Sequence, residues 1–444
     1  MRFFNIRSWF MQRLYVFIFF IFAGFGATFS QTGSALIFYP DNPLSAGLNP
    51  AKLYGKGTYF SVPVISSLSF NLYSSTISYN DFIAKNPLKK DSLLIKKEVL
   101  NKLRPDNMIF TEIHKPLLMV GWGNEINSFE VQFGIHGYTR LDFSKNLVSL
   151  LLEGNEDFIN KKISFNKEKL EVNTYGEFSL GYSHKVSNRF FIGGRVKGLL
   201  GIANIHTKNM EFSMHTDNEA FKTNLYSDII LQTATMGNYF RNKGLAADLG
   251  IVYKIPEKGI EYSASVIDAG FIHWKEKVTS YLSSTHGKVF EFKGITGLYS
   301  QSLQEITDSL QNQLQFTSVS GGSYTSFLPV KLVLAFSYCP HQRGCAGIMY
   351  MRNFGKNFTS LAYTIPLNTW LRVSASNSIH SGRFVNPGFG FEAGKHSFQC
   401  FGVIENFDSF WLHLTKNISV SMGMHIFLNR GWQTEGTPLI DNSE

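Results

Sequence analysis

Cysteine is nearly absent, with three in 444 residues. That is too few for a disulfide scaffold, so stability must come from hydrogen-bonded backbone and packing. Proline is scarce as well, at 13, which argues against a disordered, linker-rich chain. Beyond residue 27 no apolar run approaches the roughly 20 residues that a spanning helix needs. With a mean hydropathy of −0.06, inner-membrane helices are excluded. Positive charge is dilute: a net +9 spread over the whole chain gives no basis for a nucleic-acid partner. Aromatics, by contrast, make up 15% of the residues (41 Phe, 19 Tyr, 6 Trp). Bulky side chains with little proline suit strands whose faces are half exposed.

The opening "MRFFNIRSWFMQRLYVFIFFIFAGFGATFSQ" carries Arg2, Arg7 and Arg13, no acid, and an apolar stretch from Leu14 to Ala27. It is too short to span and ends in small residues, with Thr28 and Ser30 before Gln31. Residues 1–30 are therefore read as a cleaved secretory signal peptide, and the mature protein as exported. Loss of its three arginines lowers the net charge from +9 to +6. No cysteine follows the cut, so no lipid anchor is expected.

From Gly57 onward the chain alternates apolar and small or polar residues. Phe129, Val131, Phe133 and Ile135 interleave with Glu130, Gln132, Gly134 and His136. Leu245 to Tyr253 repeats the pattern, "KIPEKG" turns the chain, and Ile260 to Val266 resumes it. Near the end, "ISVSMGMHIFLN" (418–429) sets Ile418, Val420, Met422 and Met424 against Ser419, Ser421 and Gly423. Period-2 alternation marks half-buried strands joined by Gly, Asn and Pro turns. After Phe327 the turns recur at the spacing of strands that cross a bilayer on a tilt, longer than those of a soluble sheet. An open sheet edge in hydrocarbon would leave backbone groups unpaired, so the sheet must close. The expected fold is all-β: a single closed antiparallel transmembrane β-barrel of about 14 strands (12 to 16), with short helices in loops. It spans 57–429, after an N-terminal segment 31–56 and before a C-terminal tail 430–444.

Three stretches break the rhythm. "NPLKKDSLLIKKEVLNKLRPD" (86–106) places Leu88, Ile95, Val99 and Leu103 near helical spacing. "NLVSLLLEGNEDF" (146–158) is a shorter case, and "QSLQEITDSLQNQL" (301–314) sets Leu303, Ile306, Leu310 and Leu314 on one helical face. They are expected to be loop helices packed on the barrel rim, with a plug, lid or docking helix as the alternative.

The segment "DNPLSAGLNPAKLYGKGTYF" contains Asn49, Pro50 and Ala51 just before the first strand. This triplet resembles the NPA that opens the mature long-chain fatty-acid transporter family of outer-membrane barrels. More widely, the chain is similar to an uncharacterised Bacteroidetes-type family of exported outer-membrane barrel proteins. The similarity rests on that NPA, Gly154 and Asn155, "SASVIDAGFIHW" (263–274) and "NPGFGFEAGKHSFQCFGVIEN" (386–406). The resemblance implies a barrel of about fourteen strands in the transporter style, with Asn49–Ala51 as a plug motif, and for the closer family no known activity. Fifteen residues follow Asn429, so Phe427 is not terminal as in many barrels handed to the assembly machinery.

Chemistry-bearing residues are few. Cys339 and Cys345 in "CPHQRGC" flank a tight reversal and are read as a disulfide or as two free thiols; a metal site would lack a fourth ligand beyond His341. Glu130, Arg195, Lys197, Asp248, Arg372 and Glu392 fall on the polar faces of their strands. Each would cost about 2 to 4 kcal/mol against lipid near the midplane, so they should face the lumen. There they would form either an internal salt-bridge lattice or a substrate path. No nucleophile elbow and no HExxH occurs, so no catalytic site, metal or other cofactor is expected. Trp122, Trp274, Trp370 and Trp411 fit an interfacial girdle. The expected function is a passive outer-membrane channel or transporter for small or hydrophobic molecules. The alternative is a non-transporting barrel that serves as scaffold or subunit of a secretion or assembly machine. Expected partners are outer-membrane lipid, the barrel-assembly machinery, and a hydrophobic small molecule or an envelope protein.

Overall fold

The structure is a computed structural model that describes residues 37–39, 42–53, 57–61, 67–78, 81, 83–85, 93–95, 98–154, 156–216, 223–283, 289–292, 316–340, 344–380, 383–395, 397–405 and 416–428. Residues 1–30, read from the sequence as a signal peptide, the 301–314 stretch with its helical spacing, the tail 430–444, Asn155, His341 and Trp411 lie outside the described residues.

Fourteen antiparallel strands form one closed barrel. Strand β1 runs in two segments, Gly57–Ser61 and Ser67–Ser74. It is followed by β2 (Asp106–Gly123), β3 (Asn127–Ser144), β4 (Lys169–Lys185) and the long β5 (Phe190–Thr216). Strand β6 comprises Thr223–Thr235 and Lys243–Ile255. Strand β7 begins as Ile260–Trp274 and continues as Thr279–Leu282 and Val289–Phe292. Strand β8 is built from Thr317–Ser320, Tyr324–Phe327 and Lys331–Tyr338. The remainder are β9 (Cys345–Asn353), β10 (Lys356–Pro366), β11 (Leu371–His380), β12 (Arg383–Lys395), β13 (Phe398–Ile404) and β14 (Asn417–Leu428). Closure comes from β14 pairing with β1, as in Leu68↔Met422 and Thr58↔Leu428. No helix among the described residues is long and apolar enough to cross a membrane.

Alternation decides which side each residue meets. On β6, Leu245, Leu249 and Ile251 are exposed while Ala246, Asp248, Gly250 and Val252 are buried. On β14, Ser419, Ser421 and His425 point inward and are buried, whereas Met422 and Leu428 are about half exposed. The outer wall is therefore a continuous belt of Phe, Leu, Val and Ile, including Val196 at 64% and Phe327 at 76% exposure. A belt so wide has a favourable surrounding only in hydrocarbon.

The two ends differ. At one end every pair of strands is joined by a short reversal, at 124–126, 186–189, 256–259, 339–344, 367–370 and 396–397. The opposite end carries the long connections after β1, β3 and β7 and the tall extensions of β5 and β6. Short periplasmic turns and longer outer loops are the usual arrangement for such barrels.

At the long-loop end, the helix Lys145–Glu153 (α2) starts where Ser144 Oγ accepts from the Leu147 amide and stops at Gly154, whose φ is 84°. Its Leu150 packs with Ile163, Phe165, Phe212, Met214 and Leu225, and its Leu152 with Ile77, Val99 and Phe143. It is a rim-packed loop helix. Among the described residues of the 86–106 stretch, Val99–Lys102 (α1) is helical, while Leu93–Ile95 pairs with Ile83–Lys85 as a small ribbon, a departure from the helical spacing; Leu88 lies outside the described residues.

Trp122 and Trp370 are exposed beside the short turns, as a girdle requires, but Trp274 is fully buried. Its Nε1 donates to Ser326 Oγ at 2.8 Å, and its ring packs with Tyr175, Leu199 and Ile272. The girdle reading fails for Trp274 because it stands on the inward register of β7, in line with Ile272.

Candidate functional site

The N-terminal segment lies inside the short-turn mouth. Two 3₁₀ turns, Pro43–Gly47 and Pro50–Lys52, each start on an asparagine whose side chain accepts a backbone amide, Asn42 from Leu44 and Asn49 from Ala51. Proline at the first helical position needs no amide partner, so Asn-Pro is a self-capping unit. The other end of the Asn49 amide reaches the wall, where Nδ2 donates to the carbonyls of Ile251 (3.1 Å) and Ala264 (3.2 Å) on β6 and β7. Ser183 Oγ donates to the Ala51 carbonyl at 3.2 Å and Ser265 Oγ to the Leu48 carbonyl at 2.5 Å. Glycines make the room. A Cβ on Gly193 would lie 2.4 Å from the Pro50 carbonyl, and one on Gly250 would lie 2.1 Å from Asn49 Oδ1.

Further contacts extend the seat across the mouth. Lys52 Nζ pairs with Glu261 at 2.5 Å and donates to the Ile37 carbonyl at 2.8 Å. Phe38 packs among Val333, Met349, Met351 and Ala362. Tyr39 shares a hydrogen bond of 2.6 Å with Ser374, and Asn42 Nδ2 donates to Glu392 at 3.4 Å. Arg372 holds the other oxygen of Glu392 at 2.9 Å. Thus Asn49, Pro50 and Ala51 are buried at one side of the mouth, and Arg372 and Glu392 meet at the other.

Above the seat, β1 to β8 are tied by a lattice of buried charges. Arg195 bonds Glu130 (2.5 Å) and Asp248 (3.3 Å), and the Tyr59 hydroxyl donates to the second Glu130 oxygen at 2.5 Å. Lys197 lies 2.9 Å from Asp248, 2.6 Å from Asp268 and 3.8 Å from Glu177. Lys331 bridges Asp268 (3.4 Å) to Glu112 (2.5 Å). His136 stacks between His114 and Tyr175 and lies 3.2 Å from Glu177. Charges this deep persist only when paired, since desolvation costs several kcal/mol per ion.

The sequence singles out Glu130, Arg195, Lys197 and Asp248, and the structure joins these four in one network. It missed Glu177, which alternation alone would have placed inward beside Ser179. It also missed Asp268, which no alternation could place: its φ is 62° at a bulge where β6 and β7 shift register, and its amide donates to Asp248 at 2.8 Å.

The arc from β10 through β14 to β1 is different. Its inward side chains include many small and polar ones, among them Ser376, Ser421 and Gln399, beside the apolar Phe401, Val403 and Phe427, which pack with Tyr39 or Tyr59. Ser67 Oγ, Asn71 Oδ1, Thr364 Oγ1, Asn377 Oδ1 and Ser419 Oγ are buried with no protein partner. Oxygens so placed require water. Cys339 and Cys345 are bonded to each other at the β8–β9 reversal, with Cα atoms 4.1 Å apart, and Cys400 is free. Among the described residues no cluster of His, Cys, Asp and Glu has the arrangement of a metal site.

The sequence profile of a family of unknown function (DUF5723) matches residues 50–404, well over half the chain. The chain belongs to that family. Membership in DUF5723 agrees with the resemblance to an uncharacterised barrel family drawn from the sequence. No curated protein matches. Solved structures similar to this DUF5723 member include a Pseudomonas aeruginosa FadL homologue, at 10% identity and a TM-score of 0.43, covering 91% of this chain and 98% of that one. The Pseudomonas putida toluene transporter TodX matches at 10% identity and a TM-score of 0.41, covering 85% and 90%. The translocator domain of the autotransporter NalP from Neisseria meningitidis matches at 9% identity and a TM-score of 0.32, covering 84% and 89%.

Proposed function

We propose that the protein is an outer-membrane channel for small molecules whose short-turn, periplasmic mouth is closed by its own N-terminal segment. The observation that carries this reading is the seat at Gly193 and Gly250, shaped to the Asn49–Ala51 backbone. The segment is held by a handful of polar contacts and separable apolar anchors, a mode of attachment that can be released without unfolding the wall. Beside it, the hydroxyl-lined arc of β10 to β14 and β1 offers a hydrated route, and the charge lattice stiffens the opposite wall. A solute passing that arc is small and tolerates hydroxyl and amide contacts. The apolar outer belt and the exported start of the chain support the outer membrane as its place.

The lattice also suits a second reading, a filled barrel that serves as a scaffold. Conductance in planar bilayers separates the two. Wild-type protein is expected to open rarely. Gly193→Val, which removes the space occupied by Pro50, is expected to conduct steadily, at least about tenfold more on time average, a seat cost of a little over 1 kcal/mol. If neither conducts, while both still migrate as folded barrels in unboiled gels, the channel reading is wrong and the scaffold stands.

A further inference from the structure

The outer wall carries a second built feature, at the upper edge of the apolar belt where β6 and β7 are interrupted. Leu245, Phe271 and Phe327 form an exposed apolar row, with Phe271 paired to both Leu245 and Phe327. One step further from the short turns, Lys243 pairs with His273. Beyond them, Arg241, Lys275 and Lys277 are exposed, together with Tyr239 at 73% and Phe240 at 50%. Within the described residues no carboxylate forms a salt bridge with Arg241, Lys243, Lys275 or Lys277. The Arg241 guanidinium instead lies 4.9 Å over the Tyr239 ring.

These side chains stand on a braced platform. Asn242, buried, accepts the amides of Lys275 and Glu276 at 2.9 Å each. Glu276 in return accepts the amides of Tyr239 (2.9 Å) and Arg241 (3.1 Å). The two loops thus hold each other through reciprocal side-chain-to-backbone bonds. Gly237 lets Glu276 in, since a Cβ there would lie 2.1 Å from its Oε1. Phe240 (φ 50°) and Lys277 (φ 47°) occupy left-handed backbone that non-glycine residues adopt only at a cost. The bracing holds the two loops together, and the acid of the platform is engaged first by backbone amides and only then by the charge of Arg241.

We infer that this platform is a docking site for the phosphorylated headgroup of an acylated lipid in the outer leaflet. Four cations sit directly above hydrocarbon-facing Leu245, Phe271 and Phe327, where the headgroups of that leaflet lie; Arg241 lies in the field of Glu276, while Lys243, Lys275 and Lys277 form no salt bridge among the described residues. Basic side chains clustered at a membrane interface attract anionic lipid headgroups. Tyr239 and Phe240 supply aromatic rings at the same depth, the preferred position for such side chains at a membrane boundary. A soluble anion would meet the cations but would leave the rings and the apolar row unused, so the occupant is a lipid. The inference rests on the membrane placement of the barrel and not on its conductance.

The test is native mass spectrometry of the full-length protein in non-ionic detergent, offered diphosphorylated lipid A or zwitterionic phosphatidylcholine. Wild type is expected to retain lipid A at least about tenfold better than phosphatidylcholine. The combined Arg241→Gln, Lys243→Gln, Lys275→Gln and Lys277→Gln variant is expected to lose that preference. A control with Lys185→Gln and Lys258→Gln at the short-turn end is expected to keep it. Tyr239→Ser with Phe240→Ser is expected to weaken lipid A retention with all cations in place. Equal retention of both lipids by wild type, unchanged preference in the fourfold variant, or an equal loss in the control overturns the inference. Gel migration before and after boiling certifies that each variant is folded.

Discussion

At the scale of single residues, the lattice is governed by Lys197, which alone reaches Asp248, Asp268 and Glu177. Its replacement by methionine keeps the stem and deletes the charge, leaving three carboxylates turned toward one another in a dry site. Breaking a buried pair from one side costs about 3 to 5 kcal/mol. Lys197→Met is therefore expected to lower the unfolding free energy, read as urea midpoint times slope for the folded, fast-migrating band, by an amount of that order, and so to lower the midpoint. Adding Asp268→Asn is expected to recover part of the loss; an unchanged midpoint in the single variant would show that the network contributes nothing to stability. Lys197 was legible in the sequence because Arg195 and Lys197 share one face of an alternating strand. Its partner Asp268 was not, because a single bulge residue shifts the face and leaves no trace in hydrophobic pattern. Trp274 was misplaced for a related reason: an aromatic at a strand end reads as girdle, and only the three-dimensional register shows the ring turned inward to Ser326.

At the scale of elements, the period-2 strands were the most legible part of the chain, since each must satisfy lipid on one side and polar neighbours on the other. Interruptions within a strand were illegible. Nothing in "TMGNYFRNKG" announces that residues 236–242 divide β6 in two, or that Glu276 on β7 will bind their amides. That brace has a pH signature. Backbone N–H groups of Tyr239 and Arg241 hold the Glu276 carboxyl below its usual range. A depressed folded-state pKa stabilises above the unfolded value and loses that contribution as pH falls through the folded one. Hydrogen exchange at Tyr239 and Arg241 is thus expected to be slow at neutral pH and to accelerate, relative to the intrinsic rate, as pH drops below about 4. Glu276→Gln should exchange faster at neutral pH and lack the acid step. Protection that does not change with acid in the wild type would separate the brace from its carboxylate.

At the scale of the molecule, fourteen strands follow from repeated hairpins and from the rule that no edge remains open in hydrocarbon. The difference between the two ends, which loop lengths in the sequence do not reveal, comes from counting the reversals at one end. A closed sheet of this size resists detergent until heated. The protein, isolated from the outer-membrane fraction, is expected to migrate differently before and after boiling, and a soluble periplasmic species indifferent to boiling would remove the membrane reading altogether. The location of the N-terminal segment was only partly legible: three residues, Asn49 to Ala51, suggested a plug, while Tyr39, Asn42 and Lys52, which hold it across the mouth, carried no signal.

The closing ladder has a temporal meaning. Thr58↔Leu428 joins the two ends of the barrel across nearly its whole sequence, whereas Gly193, Gly250, Ala264 and Ser265, which receive Leu48 to Ala51, belong to three consecutive strands in the middle of the chain. Contacts so distant along a chain are the slowest to form. The receiving strands are therefore expected to pair before the cylinder closes, so that the segment settles into an open trough that β14, the last stave, shuts.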